Sequence, residues 1–383
     1  MATRKKIALI FSYNENWIGG TYYIQNLVHA FNILPEEQKP HITICTFSYK
    51  DYQYIVSETS YPFISFFLMP TLSIYKKVFN FFSKRIFKRK IFKHNKKKLL
   101  KNLYDAIFPN PREQCFDLID NSKKIYWIPD FQENHLPEFF SMREIANRKE
   151  DQLKISLLPS KVVLSSNDAK KDFDLLYPLA LCEKYIIPFA VTHPSYDYIE
   201  FEQLRKKYSI SRSYFYVPNQ FWVHKNHQIV LDSVLLLKEK NINITVLFSG
   251  KETDYRNKDY FNNLKSFVLE HGLQENILFL GFINRAEMLV LMKNAEAIIQ
   301  PSLFEGWSTV VEDAKAMNQF IICSNIAVHR EQLTQNVLFF DPKEKVSLTN
   351  HIINIIKNGK TIEQNNYDPY VLKFAETFMS IID

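Results

Sequence analysis

Short apolar runs rich in β-branched and aromatic residues alternate with helical stretches along most of the chain, and this alternation restricts the fold more than any other feature. KKIALIFSY precedes a helix from Thr21 to Asn32, then come HITICTF, a basic helical insert, KIYWIP, and KVVLSS before a helix at Asn167. The pattern changes between Ile186 and Tyr208, which is the expected hinge. A second series starts at SYFYVPNQ and runs through a helix from His227, ITVLFSG, a helix near Tyr260, ILFLGF, a helix at Arg285, AIIQPS, another helix and FIICS. Repeats of this kind make parallel sheets covered by helices. A chain of 383 residues exceeds what one core organises, so two α/β domains are expected, with their strand ends facing one cleft.

Glycine is scarce. The chain has seven, where an average composition gives roughly 27. Five stand at candidate ligand turns: Gly19 and Gly20 after the first strand, Gly250, Gly281 and Gly306. No GxGxxG turn follows the first strand, which argues against a dinucleotide oxidoreductase. Four scattered cysteines form neither a CxxC pair nor a zinc cluster and fit a reducing cytoplasm. The opening apolar run is too short for a signal peptide, and no run of 18 apolar residues offers a membrane span. The net charge of +7 is concentrated between Leu72 and Lys101, with twelve Lys or Arg and no Asp or Glu, so the remainder is net acidic. Ile74, Val78, Phe82 and Ile86 recur there every four residues, as in a basic amphipathic helix. Such a helix lies on an anionic membrane surface or packs its stripe on its own domain. No recognised motif for nucleic acid accompanies the charge.

The stretch Pro301 to Met317, PSLFEGWSTVVEDAKAM, turns an apolar strand into an acid, a glycine and a helix. Glu305 and Gly306 form the turn, and Ser308 and Thr309 open the helix, whose first amides lack partners and attract a phosphate-like anion. At about 100° per residue, Val310, Val311, Ala314 and Met317 share one face. Glu312 points nearly opposite and Asp313 lies on the flank, so Asp313 is the expected inward acid.

This stretch resembles the signature of the retaining nucleotide-sugar glycosyltransferases of family 4, also called glycosyl transferases group 1. Their GT-B architecture has two facing Rossmann-like domains with a cleft between them. The family signature is a glutamate, seven residues and a second glutamate. Here seven residues separate Glu305 from Asp313, with Ala314, Ala316 and FIICS in register. The resemblance is also strong at NQFWVHKNH, where the family places an arginine and, five residues on, a lysine that neutralise the donor diphosphate. Lys225 matches the lysine, and Gln220 stands in place of the arginine. The missing charge then falls to neutral donors or to His224, His227 or Lys251.

The resemblance implies a first, acceptor-side domain over 1–195 with a basic insert at 72–101. It also implies a donor domain over 196–365 and a final helix within 366–383 that packs back on the first domain. Lys225 and the Ser308 and Thr309 amides would receive the diphosphate. Glu305 would accept hydrogen bonds from donor-sugar hydroxyls, Asp313 would hold the ribose hydroxyls, and Gly281, Phe282 and Ile283 would border the base. Gly250 and Lys251 are further donor-side candidates. On the first domain, Gly19 and Gly20 either let backbone approach the diphosphate or make a helix-entry turn. Asp130, Gln132 and His135 follow KIYWIP as acceptor-side candidates, His135 either as a sugar ligand or base or as a structural histidine.

The implied reaction is sugar transfer with retained anomeric configuration, from a nucleotide sugar to a glycan or lipid-linked acceptor in surface polysaccharide synthesis. No metal, cofactor or nucleic acid is expected. The expected location is the cytoplasm, peripheral to the inner membrane face. A sugar-nucleotide epimerase, a phosphorylase and a non-enzymatic membrane adaptor are the competing readings.

Overall fold

The computed structural model describes residues 4–70, 83, 103–112, 116 and 119–382. The basic insert 72–101 lies outside the described residues apart from Ser83. Every named strand pairs in parallel. The first lobe contains β1 (Lys6–Ile10), β2 (His41–Thr46), β3 (Ile64–Leu68) and β4 (Ala106–Phe108) in the order β3-β2-β1-β4. An isolated bridge from Ile107 to Lys124 links this sheet to β5 (Ile125–Ile128), β6 (Lys161–Leu164) and β7 (Glu183–Ile186). Helices cover both faces, so the strands are near-continuous apolar runs: β5 and β6 are buried throughout.

The second lobe holds one six-stranded sheet in the order β10-β9-β8-β11-β12-β13. Its strands are β8 (Phe215–Val217), β9 (Val246–Phe248), β10 (Ile277–Phe279), β11 (Ile298–Gln300), β12 (Ile321–Ser324) and β13 (Val337–Phe340). From β8 the chain winds through β9 to β10 on one side, and from β11 through β12 to β13 on the other. The loops leaving β8 and β11 therefore part from each other. That divergence opens a crevice at the carboxyl ends of two adjacent strands.

The chain crosses between lobes twice. Beyond β7 it runs extended to the helix Phe201–Lys207. The helix Asp368–Ser380 then returns, and Val371, Phe374 and Phe378 join the core of the first lobe beside Tyr23, Phe31 and Phe108. Phe374 meets the Tyr23 ring edge-on at 5.5 Å, Phe378 meets Phe108 at 5.0 Å, and Lys161 Nζ donates to the Ile381 carbonyl at 2.7 Å.

One local expectation is corrected. The first-domain helix begins at Ile18, not Thr21, so Gly19 and Gly20 sit in its first turn. A Cβ on Gly20 would lie 2.6 Å from the Trp17 ring, and Trp17 in turn stacks on Trp127 at 5.4 Å. Ring packing thus accounts for Gly20, whereas a Cβ on Gly19 meets nothing within 4 Å.

Candidate functional site

Lys225 and Glu305 follow β8 and β11, one on each side of the crevice where the loops part. A single 3-10 turn, Val223–Lys225, carries the lysine, and Asn226 at φ 56° reverses the chain into the helix His227–Glu239. Asparagine tolerates that left-handed backbone. Its side-chain amide also donates to the Pro301 and Pro342 carbonyls, tying this turn to the end of β11. Lys225 Nζ reaches Glu305 Oε1 at 2.6 Å. Ser302 Oγ and Gln300 Nε2 donate to the same oxygen at 2.7 and 2.8 Å, and Asn219 orients the Gln300 amide. The recorded donors converge on Oε1. With Lys225 only 16% and Glu305 only 9% exposed, this is a preset charge pair in a largely buried recess.

Ser308 caps the helix Thr309–Ala316 by accepting from Val311 N–H. The expectation that the Ser308 and Thr309 amides both face an anion is corrected for the first. Ser308 N–H donates to Gln332 Oε1 at 3.1 Å, and Gln332 Nε2 returns a bond to the Ser308 carbonyl. Among the described residues, no such bond is recorded for the Thr309 amide, which remains the donor at this helix end.

Gly306 is fixed by contact. A Cβ there would lie 2.4 Å from the Pro129 carbonyl oxygen and 2.9 Å from Asp130 Cβ, both in the first lobe. At Gly250, φ is +152° and a Cβ would come within 2.2 Å of Asn219 O, so a side chain is excluded on both counts.

Both acids of the signature helix are buried. Asp313 receives Arg285 through two hydrogen bonds, and His193 Nε2 stands 3.1 Å from Oδ1. Burial favours the neutral carboxyl, but Arg285 and His193 overcome it and hold Asp313 below the ordinary aspartate range. Glu312 does not face solvent as its helical phase suggested. It is 1% exposed and is bonded to Gln332 Nε2 and the Tyr367 hydroxyl, because the returning chain covers the outer side of this helix.

The remaining candidates are divided between the cleft and internal supports. His135 lies against Phe304, the neighbour of Glu305, with ring centres 5.0 Å apart, and pairs with Asp172 at 2.7 Å. Asp130 accepts from Arg148 and from Gln132 N–H, while the buried Gln132 accepts from Arg256 across the lobes. Gln220 Nε2 donates to the Glu15 carbonyl in the first lobe. Lys251 follows Gly250 and its carbonyl accepts from Phe221 N–H. Phe282 is 60% exposed and Ile283 packs on the second-lobe core.

His224 and His227 do not supply the missing charge. Burial, Lys225 and Arg256 keep His224 neutral, and burial pushes His227 down to about 3. Sequence reasoning missed Arg256, Arg285, His193 and Gln300. Arg256 and Arg285 stand in no charge pattern, and the 120 residues between His193 and Asp313 leave no local trace.

Residues 200–371 match the family model described as glycosyl transferases group 1. The chain is 26% identical over 220 residues to the O-antigen chain mannosyltransferase RfbU of Salmonella typhimurium, covering 56% of this chain and 57% of that one. It is 25% identical over 154 residues to the O-antigen biosynthesis glycosyltransferase WclY of Escherichia coli, covering 38% and 42%. The chain thus spans about half the length of these curated relatives. A glycosyltransferase from Rickettsia africae superposes with a TM-score of 0.65 at 16% identity, over 100% of this chain and 94% of that one. The Anabaena protein Alr3699/HepE, solved with UDP, gives 0.60 at 15% identity over 99% and 96%. Residues 200–371 are a glycosyl transferases group 1 domain, and the two lobes together have the GT-B fold.

Proposed function

We propose that this chain is a retaining, metal-independent glycosyltransferase that moves a sugar from a nucleotide-diphosphate sugar to a glycan or lipid-linked acceptor in surface polysaccharide synthesis. The observation that carries the reading is the 2.6 Å contact of Lys225 with Glu305 where β8 and β11 part. The surface-glycan context comes from the similarity to proteins named for O-antigen synthesis.

Departure of a nucleoside diphosphate builds negative charge on phosphate oxygens. A cation and a helix-end amide already in position lower that barrier without reorganising. Lys225 and Thr309 serve this role, while Glu305 accepts from the donor-sugar hydroxyls. The acceptor hydroxyl forms its bond to the anomeric carbon on the face from which the diphosphate departs. As the bond from that carbon to the phosphate oxygen breaks, the departing oxygen takes the hydroxyl proton. His135 lies on the acceptor side of this centre, and Gly250, Lys251, Phe282 and Ile283 border the donor. The basic segment 72–101 holds the enzyme against anionic lipid; among the described residues, no helix is long and apolar enough to cross a membrane.

The test is a thermal-shift screen of UDP, GDP, ADP and dTDP sugars, followed by donor hydrolysis and transfer assays with NMR of the product anomer. A ligand that binds only the folded state raises Tm. No shift with any nucleotide sugar, or an inverted product, rejects the reading.

A further inference from the structure

Asp313 has two carboxylate oxygens, and Arg285 engages both: Nη1 donates to Oδ2 at 2.5 Å and Nη2 to Oδ1. His193 adds a third contact at Oδ1, and the carboxylate is wholly buried. A vicinal diol needs both oxygens within reach, so this closed arrangement does not suit ribose binding at Asp313. The guanidinium differs. Of its five N–H groups, two serve Asp313, and among the described residues no hydrogen bond is recorded for the others. Its centre lies 5.1 Å from the Tyr22 ring in the first lobe, so the group is clamped between the lobes. Meanwhile Gln220, at the position where the family carries an arginine, is neutral.

We propose that Arg285, fixed by Asp313 and His193, is the second cation of the nucleotide site: its unused fork binds a phosphate of the nucleoside diphosphate, and Asp313 is a positioning residue. The inference rests on the nucleotide-sugar reading of the cleft. A planar fork matches two phosphate oxygens at once, which a lysine does not.

Calorimetry on the full chain with UDP, GDP, ADP and dTDP, the 2′-deoxy counterparts of the first three and the parent nucleosides tests it. Binding of none of these by the wild-type chain rejects the nucleotide-sugar reading, and this inference with it. With the diphosphate that binds, Arg285→Met and Arg285→Lys should each weaken affinity about tenfold or more, with the nucleoside changed less than about threefold. Arg285→Lys keeps a charge opposite Asp313, so it decides the matter if Arg285→Met fails to fold. Asp313→Asn should weaken diphosphate binding but preserve the ratio of ribo- to 2′-deoxyribonucleotide affinity. Unchanged diphosphate affinity in Arg285→Lys, or a collapse of that ratio in Asp313→Asn, overturns the proposal.

Discussion

The Tyr367 hydroxyl donates to the Glu312 carboxyl and accepts from Val191 N–H at 3.1 Å, so one side chain of the returning segment joins the interlobe connection to the signature helix. Burial raises the Glu312 pKa, although Lys315, Tyr367 and Gln332 act in the opposite direction. Glu312→Ala leaves the Tyr367 O–H and one Nε2 hydrogen of Gln332 without an acceptor, at about 1–3 kcal/mol for each unsatisfied donor. Denaturant unfolding should show that loss, with a smaller one for Glu312→Gln. An unchanged midpoint in Glu312→Ala would show that the bonds contribute nothing net.

Lys225→Ala removes the preset ammonium and leaves Glu305 held by Gln300 and Ser302. Turnover should fall on the order of 100-fold or more, as when one oxyanion-stabilising donor is removed. Single-turnover transfer kinetics measure it, and an undiminished rate takes Lys225 out of the chemistry.

Gly306→Ala drives a methyl into the Pro129 carbonyl of the opposite lobe. Overpacking costs about 1–3 kcal/mol, and separation of the lobes is the easiest relief. Transfer should drop more than donor affinity, with a larger radius of gyration in solution scattering. Identical scattering together with full activity contradicts this.

Acid should destabilise the fold through buried histidines that the folded chain holds neutral, His227 and His329 among them. Burial lowers His227 from 6.5 to about 3 and His329 from 6.5 to about 4. Below about pH 6.5 the unfolded chain binds protons that the folded chain refuses, so stability is complete above that value and declines toward pH 4. Each histidine contributes a slope of about 1.4 kcal/mol per pH unit within its window. Chemical unfolding between pH 4.5 and 7.5 should show a shallower slope in His329→Gln. A parallel profile for variant and wild type would rule His329 out as a source.

The two parallel series were legible because β8, β9, β10, β11 and β12 carry dense apolar runs between helical stretches. Four strands escaped notice, and one of them, β7, runs directly into the stretch read as the hinge. β4 is only Ala106–Phe108, β3 lies just ahead of the basic insert, and β13 follows a polar turn without a strong breaker. The Glu305 turn was readable because an acid, a glycine and a capping serine lie within four residues. Glu312 was misjudged because helical phase cannot anticipate a segment arriving from residue 367. Arg285 was unreadable for the same reason: its partner lies 28 residues on, and only tertiary packing brings the two together.

Because Val371, Phe374 and Phe378 complete the hydrophobic interior around Tyr23 and Phe108, the amino-terminal half cannot finish folding when it first leaves the ribosome. Its partner lobe, whose interior draws on residues 204–355, becomes self-sufficient earlier. Synthesis from the amino terminus thus reverses the usual order of domain maturation. Until the last helix docks, the nascent first half exposes apolar surface, which makes that interval the one in which a chaperone has most to protect.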